Sequence, residues 1–270
     1  MPRRPLDPHR FWRDPALPML EARVIGGGRA VCYEPHSHPT FAIGVITGGR
    51  SEFVLGRARY EVTAGTVVAM NPDEAHACNP LPGVSWSYAM LFADRDWLAG
   101  VQGRPAFTPY AAAVSTDAGL AADIDGLVRL LMEGEAAPAA KEEAAAGFFA
   151  GLHERLGYAD DARGMPEDAL ARAAAFIAGH CAEPLRLADI CAASGLSPSY
   201  LVRAFKARYG LTPHAYQVNR RVRLGQERLR EGSSIVEAAL EAGFADQAHF
   251  QRAFKRLVAA TPGQFAGRQG

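Results

Sequence analysis

A near-repeat in the C-terminal part of the chain limits the possible folds more than any other feature. LVRAFKARYGLTP at residues 201–213 returns as FQRAFKRLVAATP at residues 250–262, an offset of 49 residues. Internal repetition of this kind indicates two similar supersecondary units rather than one continuous fold. Each copy is the last part of a segment in which a short helix, a turn with Gly and a second helix follow one another. The sequence therefore predicts two helix–turn–helix units.

Beyond Pro166 the sequence follows helical spacing, and turn residues divide it into helices. We expect helices over Ala169–Cys181 and Leu187–Ser194, then from Pro198, from Pro213 to about Glu231, from Ser233 to Ala242, and after Asp246. Leu201 and Phe205 would share the inner face of the helix that begins at Pro198. The outer face of this helix carries Arg and Lys, and so does the outer face of the helix after Asp246. A second helix of this kind is the one that enters a major groove.

The first half of the chain has a different pattern. Short β-like runs broken by Gly and Pro fill residues 24 to about 92 and favour a compact barrel or sandwich. Apolar residues from Leu120 to Leu131 then recur at helical intervals, and Gly157 is a plausible C-cap. We therefore predict an α+β two-domain protein with a β-barrel over 1–110, a helical dimerisation or capping segment over 111–160, a linker over 161–166 and an all-α domain over 167–270.

The formal net charge of zero conceals an asymmetry between the two halves. Residues 1–165 hold 15 Lys and Arg against 20 Asp and Glu, whereas residues 166–270 hold 14 against 9. A basic C-terminal half suits a polyanion such as DNA. The chain has no apolar stretch of 18 residues and no leader-like N-terminus, so we expect a cytoplasmic protein with no membrane partner. Four Cys without CxxC spacing are expected to be reduced thiols.

The outer faces of the two second helices supply candidate DNA contacts. Arg203 and Arg252 are suited to guanine, and Gln247 or Gln251 to adenine. The remaining cations are candidates for phosphate contacts: Lys206, Arg208, Arg221, Arg223, Lys255 and Arg256. Any one of these side chains can equally be a solvated surface charge, and the helical domain could instead bind protein. The combined pattern predicts binding to double-stranded DNA.

The region from about Pro166 to Gln269 resembles the DNA-binding domain of the AraC/XylS family of transcriptional regulators. The resemblance is carried by LADICAASGLSPSYLVRAFKARYGLTPHAY at 187–216 and SIVEAALEAGFADQAHFQRAFKRLVAATPGQF at 234–265. It implies that the following residues face bases: Ser199, Val202 and Arg203 in the first unit, and Gln247, His249, Gln251 and Arg252 in the second.

Two departures from the family pattern lie within this region. Val258 and Ala259 replace the aromatic–Gly pair that Tyr209 and Gly210 form in the first copy, so we expect the second turn to differ in shape. Gly225 replaces a usual Ala in the connecting helix, which costs about 1 kcal/mol in a helix interior and would let the two units flex.

The first half resembles a cupin. HSHPTFAIGVITGG at 36–49 is similar to the first cupin motif and TAGTVVAMNPDEAHACN at 63–79 to the second. The resemblance implies a divalent metal such as Zn at His36, His38 and His76, although the usual Glu of the first motif is missing.

Strand alternation gives an independent view of these residues. Cys32, Glu34, His36 and His38 would share one strand face, as would His76 and Cys78. Converging imidazoles and thiols suit Zn²⁺. We expect that these side chains line a metal-free effector pocket and that no cofactor is required, with a bound divalent metal as the alternative.

The sequence is thus expected to encode a DNA-binding transcriptional regulator rather than an enzyme, in which a small effector bound by the barrel biases DNA binding. The family resemblance implies a homodimer, with RNA polymerase as a further candidate partner. The alternative is a metal sensor or cupin metalloenzyme domain fused to a DNA-binding module.

Overall fold

The described chain separates into a β-rich unit and a helical unit. The computed structural model describes residues 9–28, 31–159 and 168–267. Unit 1 takes the described residues of 1–31, 38–73 and 78–161, and unit 2 takes those of 32–37, 74–77 and 162–270. The predicted linker over 161–166 lies outside the described residues.

Strands in unit 1 form a six-stranded antiparallel sheet of order β1-β2-β8-β3-β6-β9 and a three-stranded sheet of order β5-β4-β7. The strands are β1 His9–Trp12, β2 Leu20–Gly28, β3 Phe41–Gly48, β4 Arg50–Leu55, β5 Ala58–Thr63, β6 Val67–Met70, β7 His76–Pro80, β8 Trp86–Ala93 and β9 Val114–Ser115. The central strand β3 is buried on both faces from Phe41 to Ile46, which explains its unbroken apolar run. The predicted β-rich first half is confirmed.

Four helices accompany the strands: α1 Arg95–Val101, α2 Ala118–Glu133, α3 Pro138–Ala150 and α4 Leu152–Leu156. The apolar stripe of α2, from Leu120 to Leu131, packs into one core with β3, β8 and Phe149 of α3. The stripe therefore caps the sheet of its own unit. A dimer interface would have to use other faces of these helices.

Unit 2 is helical outside its short segments 32–37 and 74–77. Its helices are α5 Ala169–Gly179, α6 Leu187–Ser194, α7 Pro198–Tyr209, α8 Pro213–Arg230, α9 Ile235–Glu241, α10 Gln247–Val258 and α11 Pro262–Phe265. The cap of α9 is Ser234 rather than the expected Ser233, because Ser234 and Glu237 form a capping box. Helix α8 has 18 residues and is about 27 Å long at roughly 1.5 Å per residue.

Each helix–turn–helix unit has its own apolar core. In the first, Leu201 and Phe205 of α7 pack with Ile190 of α6 and Ile177 of α5. In the second, a chain of ring contacts runs from Phe244 through Phe250 and Phe254 to Phe265, with centroids 5.2–5.3 Å apart. The inner faces predicted from helical spacing are confirmed, and the charged faces are left outside.

Gly225 does not act as the hinge that helix propensity suggested. A Cβ at this buried position would lie 2.5 Å from Cε2 and 2.7 Å from Cζ of Phe250. Real Cβ contacts essentially never come under 3.0 Å. The glycine therefore lets the Phe250 ring of α10 rest directly against the backbone of α8, so the expected flexibility is not what this residue provides.

The turn after α10 keeps the shape of its counterpart after α7 despite the change of residue. Gly210 ends α7 with φ 70° and ψ −10°, and Ala259 ends α10 with φ 54° and ψ 16°. Both are left-handed helix caps. The expected difference in shape is wrong, and Ala259 instead takes a conformation that costs an L-residue about 1 kcal/mol.

One loop joins the two helix–turn–helix units. Gln217 and Arg221 of α8 donate hydrogen bonds of 2.6–3.2 Å to the carbonyls of Cys181 and Glu183. On the same loop, the oxygen of Ala182 lies so close to Gly243, the turn residue of the second unit, that a Cβ there would be 2.0 Å away. We call residues 181–183 the shared loop.

Within the described residues, no helix combines the length and the apolar character needed to cross a membrane.

Candidate nucleic-acid interface

Helix α7 offers an exposed face that carries a guanidinium and an ammonium group. Pro198 occupies its first turn, and burial of Leu201 and Phe205 turns Ser199, Arg203 and Lys206 outward. Within the described ranges, the side chains of Arg203 and Lys206 make no hydrogen bond or ion pair. The helix thus presents the side chains that sequence analysis predicted, with Val202 half-buried beside them.

Helix α10 offers the more polar face. Asp246 caps it by accepting a 2.6 Å hydrogen bond from the backbone N–H of His249. The inner residues are apolar, and the predicted outer residues are all exposed: Gln247, His249, Gln251, Arg252, Lys255 and Arg256. The His249 ring meets the edge of Phe244 at 5.1 Å, which fixes its orientation.

The six candidate phosphate contacts fall into two groups. Lys206, Lys255 and Arg256 are exposed on the outer faces of α7 and α10. The Arg256 guanidinium lies 3.6 Å from the carboxylate of Glu34, which is a weak, solvent-exposed pair. These three cations are exposed to solvent.

The other three arginines are occupied inside unit 2. Arg208 forms an ion pair with Asp168, the N-cap of α5, and Arg221 binds the shared loop. Arg223 is buried and donates 2.9 Å hydrogen bonds to the carbonyl and hydroxyl oxygens of Ser37. Each of these guanidinium groups has a protein partner within unit 2, and its predicted phosphate contact stays a prediction.

The histidines predicted as metal ligands are held by the backbone. His36 and His76 pair as a β-bridge within unit 2, with ring centroids 4.5 Å apart. Each Nδ1 lies 2.8–2.9 Å from a carbonyl oxygen, of Glu34 and Glu74 respectively. In unit 1, Nδ1 of His38 lies 2.8 Å from the carbonyl of Thr40, and its ring meets Phe92 edge-on at 5.4 Å.

Burial favours the neutral forms of His76 and Cys78. Burial lowers the pKa of His76 to about 4, and the positive charge of Arg223 lowers it as well. Burial raises the pKa of the Cys78 thiol to about 12. Cys32, Cys78, Cys181 and Cys191 are free thiols, as predicted.

The described residues do not assemble a metal site. Among them, no group of three or more His, Cys, Asp or Glu side chains is placed to hold an ion. Of the set predicted from the motif, His36 and His76 lie side by side within unit 2, His38 belongs to unit 1, and burial keeps the thiol of Cys78 protonated.

One exposed side chain on the outer face of α7 was not predicted from the sequence. Tyr200 follows Ser199 on α7 and is 48% exposed. It lies 49 residues before His249, so the repeat offset that paired Arg203 with Arg252 could have identified it.

The comparisons with known proteins agree with this architecture. Residues 21–155, half of the chain, match the family described as an AraC-like ligand binding domain. Residues 190–268 match the family described as a helix-turn-helix domain.

Two HTH-type transcriptional regulators resemble the chain to different extents. The uncharacterised HTH-type transcriptional regulator YbfI of Bacillus subtilis is 26% identical over 79% of this chain and 80% of its own length. The HTH-type transcriptional regulator MtrA of Neisseria gonorrhoeae is 39% identical, over 29% of this chain and 27% of its own length.

A solved structure shares the fold of the whole chain. ToxT from Vibrio cholerae O395 superposes with a TM-score of 0.60 at 14% identity, covering 92% of this chain and 97% of that one. Both halves of the chain match domain families, and the helical half carries the exposed outer faces of α7 and α10. The chain belongs to the AraC family of transcriptional regulators.

Proposed function

We propose that this regulator reads a specific duplex with two unequal helices: α7 through Arg203, and α10 through Gln247, Gln251 and Arg252. Arg203 and Arg252 would each contact a guanine, and the glutamines an adenine. Ser199, Val202 and His249 would line the same faces. The observation that carries the proposal is the pair of outward faces on which the guanidinium groups of Arg203 and Arg252 have no protein partner among the described residues.

The direct test is a DNA-binding assay with variants of single arginines. A duplex site is first selected from a random library with the full chain. Arg203→Ala and Arg252→Ala are each expected to weaken binding to that site by about 1–3 kcal/mol and to relax discrimination at one position. Arg129→Ala is the matched control, since Arg129 is 66% exposed and pairs with Asp125 on α2.

The comparison between specific and random DNA gives the deciding result. If both variants lose affinity equally for the two kinds of duplex, the arginines contact backbone rather than bases, and the assignment fails. If the full chain shows no salt-dependent retention on any duplex, DNA binding by α7 and α10 fails altogether.

Lys206 and Lys255 are proposed to contact phosphates. Each phosphate contact contributes about 0.9 to the slope of log affinity against log salt. Lys206→Ala and Lys255→Ala should therefore each reduce that slope by about 1 while leaving sequence preference unchanged. Arg256 belongs to the same group, once its exposed pair with Glu34 has opened.

The β-rich unit supplies the regulatory input. It carries the AraC-like ligand binding domain, and we propose that a small molecule bound there changes the affinity of unit 2 for DNA. A ligand can shift this equilibrium only by its difference in affinity for the two states. A compound that raises the unfolding temperature of unit 1 should therefore also change DNA affinity, and a stabilising compound without that effect would contradict the coupling.

We further propose that the chain works without a cofactor and has no catalytic activity of its own. The competing interpretations, a metal sensor or a cupin metalloenzyme, depend on His36, His38 and His76, which the structure holds through backbone carbonyls. Metal analysis of the purified chain tests this. A stoichiometric ion that is lost on His36→Ala and His76→Ala would support a metal sensor instead.

Family membership also supports a proposal on assembly and location. We propose a cytoplasmic homodimer that binds duplex DNA and contacts RNA polymerase, supported by membership of a family of transcriptional regulators. Sedimentation of the full chain at micromolar concentration should give a dimer. A monomer both free and bound to its selected duplex would contradict the proposal.

A further inference from the structure

The first recognition helix has an apolar component that the second lacks. On α7, Tyr200 is 48% exposed, Val202 is half-buried and Ala207 is exposed. At the corresponding places 49 residues later, α10 carries His249, Gln251 and Arg256. The two helices share a scaffold but present different chemistry.

Tyr200 lies beside the proposed base-reading arginine. Residues three apart on a helix are neighbours on its surface, so Tyr200 and Arg203 lie one turn from each other. Leu201 and Phe205 are fully buried, which directs that surface away from the core. Within the described ranges, Tyr200 makes no ring contact and no hydrogen bond through its side chain.

The surroundings of this tyrosine identify its partner. Arg203 and Lys206 are exposed on the same face, and two such cations attract a polyanion to it. An aromatic ring exposed to water gains free energy when an apolar group covers it. In the major groove, the C5 methyl of thymine is the apolar group that base pairs present, whereas guanine, adenine and cytosine present hydrogen-bonding atoms.

We propose that α7 selects thymine through its C5 methyl group, with the ring of Tyr200 as the specificity-determining contact and Val202 as a second apolar contact. The thymine lies next to the guanine that Arg203 contacts. Helix α10, with amide and guanidinium groups at its surface, reads hydrogen-bonding patterns instead. This inference rests on the proposed function of α7 as a recognition helix.

Replacing thymine by deoxyuridine tests the proposal, because the change removes one methyl group and nothing else. The selected duplex is used, and the subsite of α7 is defined by the positions at which Arg203→Ala relaxes discrimination. With the unchanged full chain, deoxyuridine at the adjoining thymine should weaken binding about fourfold, the loss expected for one buried methyl-sized group. Deoxyuridine in the subsite of α10 should change affinity by less than about twofold, since no apolar contact to a methyl group is proposed there.

Variants at Tyr200 separate the ring from its hydroxyl group. With Tyr200→Ala, most of the fourfold difference between thymine and deoxyuridine duplexes should be lost, and Val202 accounts for what is left. Tyr200→Phe keeps the ring and should keep the fourfold difference. Both substitutions are at an exposed position and leave the core residues Leu201 and Phe205 in place.

Four outcomes overturn the inference while leaving DNA binding intact. They are the absence of thymine from the selected α7 subsite, equal affinity of the unchanged chain for both duplexes, a fourfold difference that persists in Tyr200→Ala, and an equal loss in Tyr200→Phe and Tyr200→Ala. The last would assign the hydroxyl group to a phosphate. If no duplex is bound at all, the proposed function itself fails.

Discussion

Gly225→Ala should destabilise unit 2, although helix propensity alone favours the opposite result. In a helix interior, Ala is more favourable than Gly by about 1 kcal/mol. The new Cβ would, however, lie 2.5 Å from Cε2 of Phe250, about 1 Å short of the 3.4 Å at which ordinary contact begins. The Phe250 ring is fully buried between Phe244 and Phe254, so it has no room to retreat.

The size of the effect follows from these two opposing terms. Overpacking a well-filled core typically costs about 1–3 kcal/mol when backbone or side chains must shift, and an overlap of about 1 Å with a fixed ring belongs at the upper end of that range. After subtraction of the gain in helix propensity, we expect a net loss of about 1–2 kcal/mol. The displacement of α10 should also weaken binding to the selected duplex.

The distribution of tryptophan makes the measurement specific. The three Trp residues, Trp12, Trp86 and Trp97, all belong to unit 1, so their fluorescence follows that unit during denaturation. Far-UV circular dichroism follows the helices of both units. Gly225→Ala should lower the denaturation midpoint in circular dichroism and leave the fluorescence midpoint unchanged.

Gly126→Ala provides the matched control, since Gly126 is also inside a helix but an added Cβ there would have nothing within 4 Å. That variant should stabilise unit 1 by up to about 1 kcal/mol. Phe250→Leu should reduce the penalty of Gly225→Ala in a double-mutant cycle, because the two side chains are in contact. If Gly225→Ala stabilises the chain as Gly126→Ala does, the close contact between α8 and Phe250 is refuted.

Three further predictions concern the strained turn, the buried histidine and the shared loop. Ala259→Gly should raise the free energy of unfolding by about 1 kcal/mol in chemical denaturation, because φ is 54° there. Its control is the reverse change at the left-handed cap of α6: Gly195→Ala, at φ 75° and with open space around it, should lower that free energy by a similar amount. Because the pKa of His76 falls from 6.5 to about 4 on folding, the unfolded chain binds a proton that the folded chain does not between these pH values, and stability falls as pH falls. The loss is up to about 3 kcal/mol and should be absent in His76→Gln. Arg221→Met should destabilise unit 2 by about 1–3 kcal/mol through the lost bonds to the shared loop.

Each of these has an outcome that contradicts it. An unchanged or lower stability of Ala259→Gly would mean that the cap is not left-handed in solution. A pH profile of His76→Gln that parallels the unchanged chain would assign the acid sensitivity to other groups. Arg221→Met with normal stability and a salt slope reduced by about 1 would restore the phosphate contact predicted from sequence.

Helix faces and helix starts could be predicted from the sequence, because both depend on residues close together in the chain. The inner faces of α7 and α10 followed from helical spacing. Pro198, Pro213 and Asp246 marked helix starts, because a proline in the first turn and an N-cap depend only on nearby backbone. Helix α1 was missed although Asp94 caps it in the same way, since the seven residues after the cap are too few for a periodic signal.

Partners distant in sequence could not be predicted in this way. Arg221 has the same charge as Arg203, yet its guanidinium binds carbonyls 38–40 residues earlier in the chain. Gly225 shows the same limit, because the ring that requires a glycine is 25 residues away in sequence. Tyr200 corresponds to His249 through the repeat offset, so comparison of the two copies would have been enough to identify it as an exposed residue.

The shared loop has a consequence for the DNA that the chain can recognise. Since residues 181–183 are held by α8 and also touch Gly243, the two recognition helices cannot turn independently about the connecting helix. One inserted base pair rotates one subsite relative to the other by roughly 35°, given about 10–10.5 base pairs per turn. Operators of this regulator should therefore tolerate changes of base within a subsite far better than a change of one base pair in the spacer between subsites.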